Sequence, residues 1–164
     1  MIEPASKLST KVEPLPSKFH TQLACAVGIL SKGKTTIRNP LKVRDTRVML
    51  KVAEAFDVMI GKTGNAWVIS PPEVLRLKTR TIDVKNSGTV LSLAVAMVLA
   101  ARSSAVLTGD QELRSRKMVP LLTLMRKVGG EVYSVNPADA PPFVVFESKL
   151  AGGTVKPSEE EYRY

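Results

Sequence analysis

The side chains that build most reactive centres are scarce in this chain: its 164 residues include one histidine, His20, and one cysteine, Cys25. A single cysteine excludes an internal disulfide framework, and one residue of each kind excludes a zinc site built from cysteine and histidine. Cys25 sits in an apolar run, where a buried, inert thiol is expected, and a reducing compartment fits. Aromatic residues make up only 5% of the sequence. Binding of single-stranded nucleic acid favours exposed aromatics interleaved with basic residues, or a recognisable module, and neither is present. Nucleic acid is therefore not expected as a partner. Long hydrophobic runs are missing too. The longest, Val90 to Ala101, contains Ser92 and is too short to span a bilayer, and the N-terminal residues have no apolar signal region. No membrane partner and a cytoplasmic location are expected. There is no GxGxxG fingerprint, no phosphate-binding GxxxxGK[ST] loop and no GxSxG elbow, and too few carboxylates surround His20 to build a triad.

What remains is a basic, evenly amphipathic chain, 44% hydrophobic with a formal net charge of +9. That is enough apolar content for one domain or two small lobes, and the charge points to an anionic ligand. After an extended lead-in (Ser9 to Leu15), helical periodicity begins at Ser17, with Leu23, Ala24, Val27, Ile29 and Leu30 apolar and Gly33 as a stop signal. "KTTIRNPL" reads as a short strand ended by Asn39-Pro40. A helix follows over "RDTRVMLKVAEAF", with Asp45 as its N-cap, and then a hairpin turning at Thr63-Gly64-Asn65.

The same order returns from Asn86: an apolar helix (Thr89 to Ala101), a strand (Ala105 to Leu107), a helix (Arg116 to Val128) closed by Gly129-Gly130, and strands around Val132 and Phe143 to Phe146. Laying Ala24 on Leu93, Ala26 on Val95, Leu30 on Leu99, Ile37 on Val106 and Met49 on Met118 keeps residue class and element order. This predicts an internal repeat, with units at about 17–85 and 86–155 of a single partial lobe, and a frayed acidic end over 156–164. The first helix of each unit is apolar nearly all round and is predicted to be buried on most sides. The second helices carry Arg47, Lys51 and Glu54, or Arg126 and Lys127, and face water.

The mouths of the two apolar helices offer unpaired N–H groups and a positive dipole end, the natural seat for an anion. Ser17-Lys18 opens the first and Asn86-Ser87-Gly88-Thr89 the second. Gly88 lets a ligand approach the backbone, while Asn86, Ser87 and Thr89 add side-chain donors. Plain helix capping explains the same residue types, and spacing alone leaves both readings open. Arg114, Arg116 and Lys117 stand at the mouth of the fourth helix, where cations oppose the dipole unless an anion compensates them. A guanidinium such as Arg116 binds carboxylate or phosphate bidentately; a solvated charge run is the bland alternative.

Three stretches, "PSKFHTQLACAVGILSKGKTTIRNPLKVRDTRVML", "NSGTVLSL" and "LTGDQELRSRKMVPLLTLMRKVGGEV", resemble in order and spacing the enolpyruvyl transferases, closest to the 5-enolpyruvylshikimate-3-phosphate synthase family. The resemblance runs from about Lys11 to Val155 and matches the front portion of a family member. It implies an α/β fold of inverse βαβαββ-like units with buried parallel helices, of which this chain holds two where a closed lobe has three. It also implies transfer of enolpyruvyl from phosphoenolpyruvate to shikimate 3-phosphate, with no metal or organic cofactor. Carried over by position, Lys18 would hold phosphoenolpyruvate beside the shikimate phosphate, Asn86 and Gly88 would line its site, and Arg116 would pair with it. Ser17, Asp45, Arg47, Ser87 and Thr89 are secondary candidates.

The sequence departs from the family at Phe19 (a serine there), Leu23 and Ser92 (arginines) and Lys117 (a proline). Each lost charge-assisted contact costs about 1.5–3 kcal/mol, so two at one ligand weaken its binding on the order of a hundredfold. The family's acid and base residues come from its other lobe, so this chain alone is expected to be inactive, either as a fragment or as a divergent relative. A non-catalytic module assembling with a second polypeptide, and a relative acting on a UDP-N-acetyl sugar, are the alternatives. The missing unit also predicts an exposed apolar patch on the helices that open at Ser17 and Asn86.

Overall fold

The computed structural model describes residues 9–156 and 158–159; most of the predicted frayed end lies outside the described residues. From Ser9 to Ser17 the chain forms no helix or strand. Helix α1 (Lys18–Leu30) starts at Ser17, whose hydroxyl accepts the His20 N–H at 3.3 Å. It stops at Ser31, three residues after Gly28, and Gly33 plays no left-handed capping role. Strand β1 (Thr35–Arg38) and helix α2 (Arg44–Ala55) follow. Asp45 does not cap α2: Val43 occupies that position, and Thr46 reaches back to accept the Val43 N–H at 3.1 Å. Asp45 lies instead in the first turn, where a carboxylate complements the helix dipole.

Strands β2 (Met59–Thr63) and β3 (Ala66–Ser70) form the expected hairpin, with Gly64 at φ 55° in the turn. The first sheet has the order β1-β3-β2, all antiparallel. Strand β4 (Thr81–Asp83), unmarked in the sequence, runs parallel to β5 (Ala105–Thr108) at the edge of the second sheet, after helix α3 (Gly88–Ala100) has crossed between them. A single turn not expected from the sequence, α4 (Gln111–Arg114), comes before α5 (Val119–Lys127), which begins later than the helix expected over 116–128. Asp110 caps the first by accepting the Leu113 N–H at 3.1 Å, and Pro120, at home in a first turn, starts the second. Arg116 and Lys117 therefore sit in the joint. Strands β6 (Glu131–Ser134) and β7 (Phe143–Phe146) complete a sheet of order β4-β5-β7-β6.

The element order of the first sheet, β1-β3-β2, recurs in the second as β5-β7-β6. Buried α1 positions Thr21, Gln22, Cys25, Ala26, Gly28 and Ile29 match Val90, Leu91, Ala94, Val95, Met97 and Val98 of α3 under the sequence offset. The strands slip by one residue: buried Ile37 corresponds to Leu107, not Val106. The result is an α/β fold in which α1 packs on α2, on α3 and on the first sheet, and α3 packs on the second sheet. One apolar cluster joins the two halves, with Ile29, Met49, Phe56, Ile69, Leu91, Leu107 and Phe143 among its fully buried members. Cys25 lies inside it, and burial pushes its thiol up to about 12, so it carries no reactive thiolate.

Burial of the two apolar helices is unequal. Helix α3 is covered on most sides, whereas α1 exposes Phe19 (55%), Leu23 (38%), Val27 (59%) and Leu30 (44%) along one face. Their spacing places them on one stripe, and no element of the described chain packs over it. The apolar patch expected on both helices falls on α1 alone.

Candidate functional site

The amino ends of α1 and α3 open into one cleft of about 850 Å³, whose lining includes Lys18, Asp45, Asn86, Ser87, Gly88, Thr89, Arg116 and Lys117. Two helix mouths that are far apart in sequence thus share a single space. Gln22 is the tie between them. Fully buried, it donates through Nε2 to Ser87 Oγ at 3.4 Å and lies 3.5 Å from the Asp45 carbonyl, joining the starts of α1, α2 and α3. Sequence reasoning passed over Gln22; the available signal was an amide in an otherwise apolar helix face.

Each side chain has a local reason for its place. Ser87 caps α3 by accepting the Val90 N–H at 3.4 Å; the N–H groups of Gly88 and Thr89, at the start of the helix, have no partner among the described residues, and both residues line the cleft. A methyl group added at Gly88 would find its nearest atom, Leu113 Cδ1, at 4.0 Å, so the protein itself does not require glycine there. Ser92 donates to the Gly88 carbonyl at 3.1 Å and lines the same wall. Lys18 pairs with Asp45 at 2.9 Å across the mouth, a half-exposed contact between the first turns of α1 and α2.

Arg116 is not free either. Its Nη2 donates to Glu112 Oε1, while Glu112 Oε2 accepts from Asn86 Nδ2. These two donors, the guanidinium first, hold the Glu112 carboxyl below the usual carboxylate range. Glu112 was not singled out in the sequence. Asn86 Oδ1 is buried with no partner, an orphan in the cleft wall.

Two candidates stand apart. Ser17 caps α1 and is not part of the cleft lining, and Arg47 lines a separate cavity of about 400 Å³ with Lys42, Lys62 and Trp67. Phe19 and Leu23 also lie outside the cleft lining, on the exposed stripe of α1. The cleft therefore offers two lysines, an arginine and a bare helix end around a space of small-metabolite size, which suits a compact anion with several oxygens. Among the described residues no cluster of histidine, cysteine and carboxylates is suited to a metal ion, and no helix is long and apolar enough to cross a membrane.

The fold and the cleft together describe an α/β arrangement with basic side chains gathered at two helix mouths. The family described as EPSP synthase (3-phosphoshikimate 1-carboxyvinyltransferase) matches residues 2–158, and the chain belongs to this family. A 3-phosphoshikimate 1-carboxyvinyltransferase of Methanothermobacter thermautotrophicus is 34% identical over 154 residues, covering 93% of this chain and 36% of the relative. That of Acetivibrio thermocellus is 33% identical over 152 residues, covering 90% of this chain and 35% of the relative. The chain thus spans about a third of the length of these relatives. An EPSP synthase from Acinetobacter baumannii superposes with a TM-score of 0.80 over 90% of this chain and 36% of that structure, at 22% identity. Another structure of EPSP synthase from the same organism gives 0.76 over 83% of this chain and 32% of that one. At such identities the likeness establishes the fold.

Proposed function

We propose that this chain supplies the phosphoenolpyruvate side of an enolpyruvyl transfer to shikimate 3-phosphate, the reaction named for its relatives. The observation that carries the reading is the bare amino end of α3, with the Gly88 and Thr89 N–H groups unpartnered in the same cleft as Lys18, Asn86 and Arg116. In this reading the phosphate oxygens accept from the α3 backbone and from Lys18, and the carboxylate is held by Arg116, whose planar fork fits it bidentately. Phosphate is the leaving group, so a helix end and cations that stabilise its growing charge favour the forward step. The acid and base that move protons at the reacting carbon come from outside this chain, which binds one substrate and does not turn over by itself.

Phe19 and Leu23 weaken the shikimate 3-phosphate side, since they offer no hydrogen bond or charge where the family's serine and arginine stand. The exposed stripe of α1 favours a second, compatible reading, in which the chain assembles with another polypeptide that covers Phe19, Leu23, Val27 and Leu30.

Gly88→Ala is the sharpest test, because the protein has room for the methyl group and a ligand seated on the helix end does not. Stability should hold or rise by up to about 1 kcal/mol, since alanine favours the helix. Affinity for phosphoenolpyruvate, read by titration calorimetry, should fall at least about tenfold, and Arg116→Ala should lower it similarly. Unchanged affinity in both variants places the anion elsewhere.

A further inference from the structure

We propose that Glu112 is an internal occupant of the anion site: its carboxylate holds the Asn86 amide and the Arg116 guanidinium while the cleft is empty, and the incoming anion exchanges with it. The inference rests on the proposed anion-binding role of the cleft. Ion pairs spaced i,i+4 on a surface are common and by themselves mean little. This one differs because the second oxygen of Glu112 accepts from Asn86, 26 residues back in the sequence and next to the start of α3. The carboxylate thus engages two donors that line the cleft, one through each oxygen, in the pattern that a substrate carboxylate or phosphate would offer.

Three features suit an exchange and not a fixed strut. Glu112 is 65% exposed and Arg116 48% exposed, so neither is locked by packing and water reaches both. Glu112 belongs to the single-turn helix α4, set by the Asp110 cap, so its side chain swings away without disturbing a long element. Asn86 is only half satisfied, since its Nδ2 meets Glu112 while its buried Oδ1 meets nothing. Its amide gains by reorienting once the carboxylate leaves. Arg116 is neutralised by Glu112, and Lys18 by Asp45, so an anion competes with an internal carboxylate instead of meeting a bare guanidinium. Affinity is then set by the difference between two carboxylate-like partners, and Glu112 tunes it.

The test uses the chain with two substitutions, inorganic phosphate and phosphoenolpyruvate being titrated separately into each protein by calorimetry. Glu112→Asp keeps the charge but is one methylene too short to reach both donors; Glu112→Gln keeps the length and loses the charge. Both should bind each anion about 3- to 30-fold more tightly than the parent. Tightening in Glu112→Gln alone reports only the removal of a nearby negative charge and overturns the exchange. Unchanged or weaker binding in both variants also overturns it, the weaker case showing that Glu112 braces Arg116 in its binding posture. If the parent binds and the variants do not tighten, this inference alone fails. If neither the parent nor the variants bind either anion, the anion reading of the cleft fails, and this inference falls with it.

Discussion

Glu112 sits between an arginine and an amide that both donate to it, and Asp110 opposes them weakly. Because its folded pKa lies below the ordinary carboxylate value, its contacts contribute stability above the unfolded pKa of about 4.3 and lose it as pH falls through the folded value. In Arg116→Gln the main cause of the depression is gone, so the Glu112 midpoint should rise in a carbon-detected NMR titration of the side-chain carboxyl. The same midpoint in parent and variant contradicts the assigned cause. The other cleft residues differ in how openly the sequence shows them. Ser87 and Gly88 are legible because a helix start selects few residue types, and Lys18 because a cation there calls for a partner. Glu112 and Gln22 are hidden because their partners, Asn86 and Ser87, are brought near only by the packing of α1, α3 and α4. Arg47 carries the same charge as Arg116 but faces another cavity, a distinction that only the turn of α2 decides.

The joint that carries Arg116 owes its position to a close crossing of backbones. Gly109 follows β5 where the Lys85 carbonyl passes, and that carbonyl also accepts the Asp110 N–H at 3.0 Å. A methyl group at 109 would stand 2.1 Å from that oxygen, a clash with backbone that no rotamer relieves. Gly109→Ala should therefore destabilise the fold by at least about 2 kcal/mol in a denaturant melt, whereas Gly88→Ala should not. Equal stability of the two variants would contradict the crossing. Periodicity found the long elements because α1, α2 and α3 each keep one face apolar through twelve or more residues. It missed β4, three residues among lysines, arginines and threonines, whose strand state depends on its parallel partner β5. It also passes over the single turn α4 and starts the next helix at Arg116 and not Val119, because the charged joint continues a helical pattern that Pro120 restarts.

Across the whole molecule, two sheets with matching strand order bring two helix mouths together, and Gln22 fixes their spacing. The sequence repeat predicts like residues at like positions and gives no sign of unequal burial. Helix α3 is enclosed while α1 leaves Phe19, Leu23, Val27 and Leu30 exposed, because the elements packed on α1 cover only its other face. The central claim is that both mouths serve one anion. Nitrogen-15 NMR of the chain titrated with phosphoenolpyruvate tests it most directly. The backbone amides of Lys18, Gly88 and Thr89 and the side chain of Arg116 should shift together along a single saturating curve. Shifts confined to Lys42, Arg47 and Lys62 around the other cavity, with Gly88 and Thr89 unmoved, would contradict it.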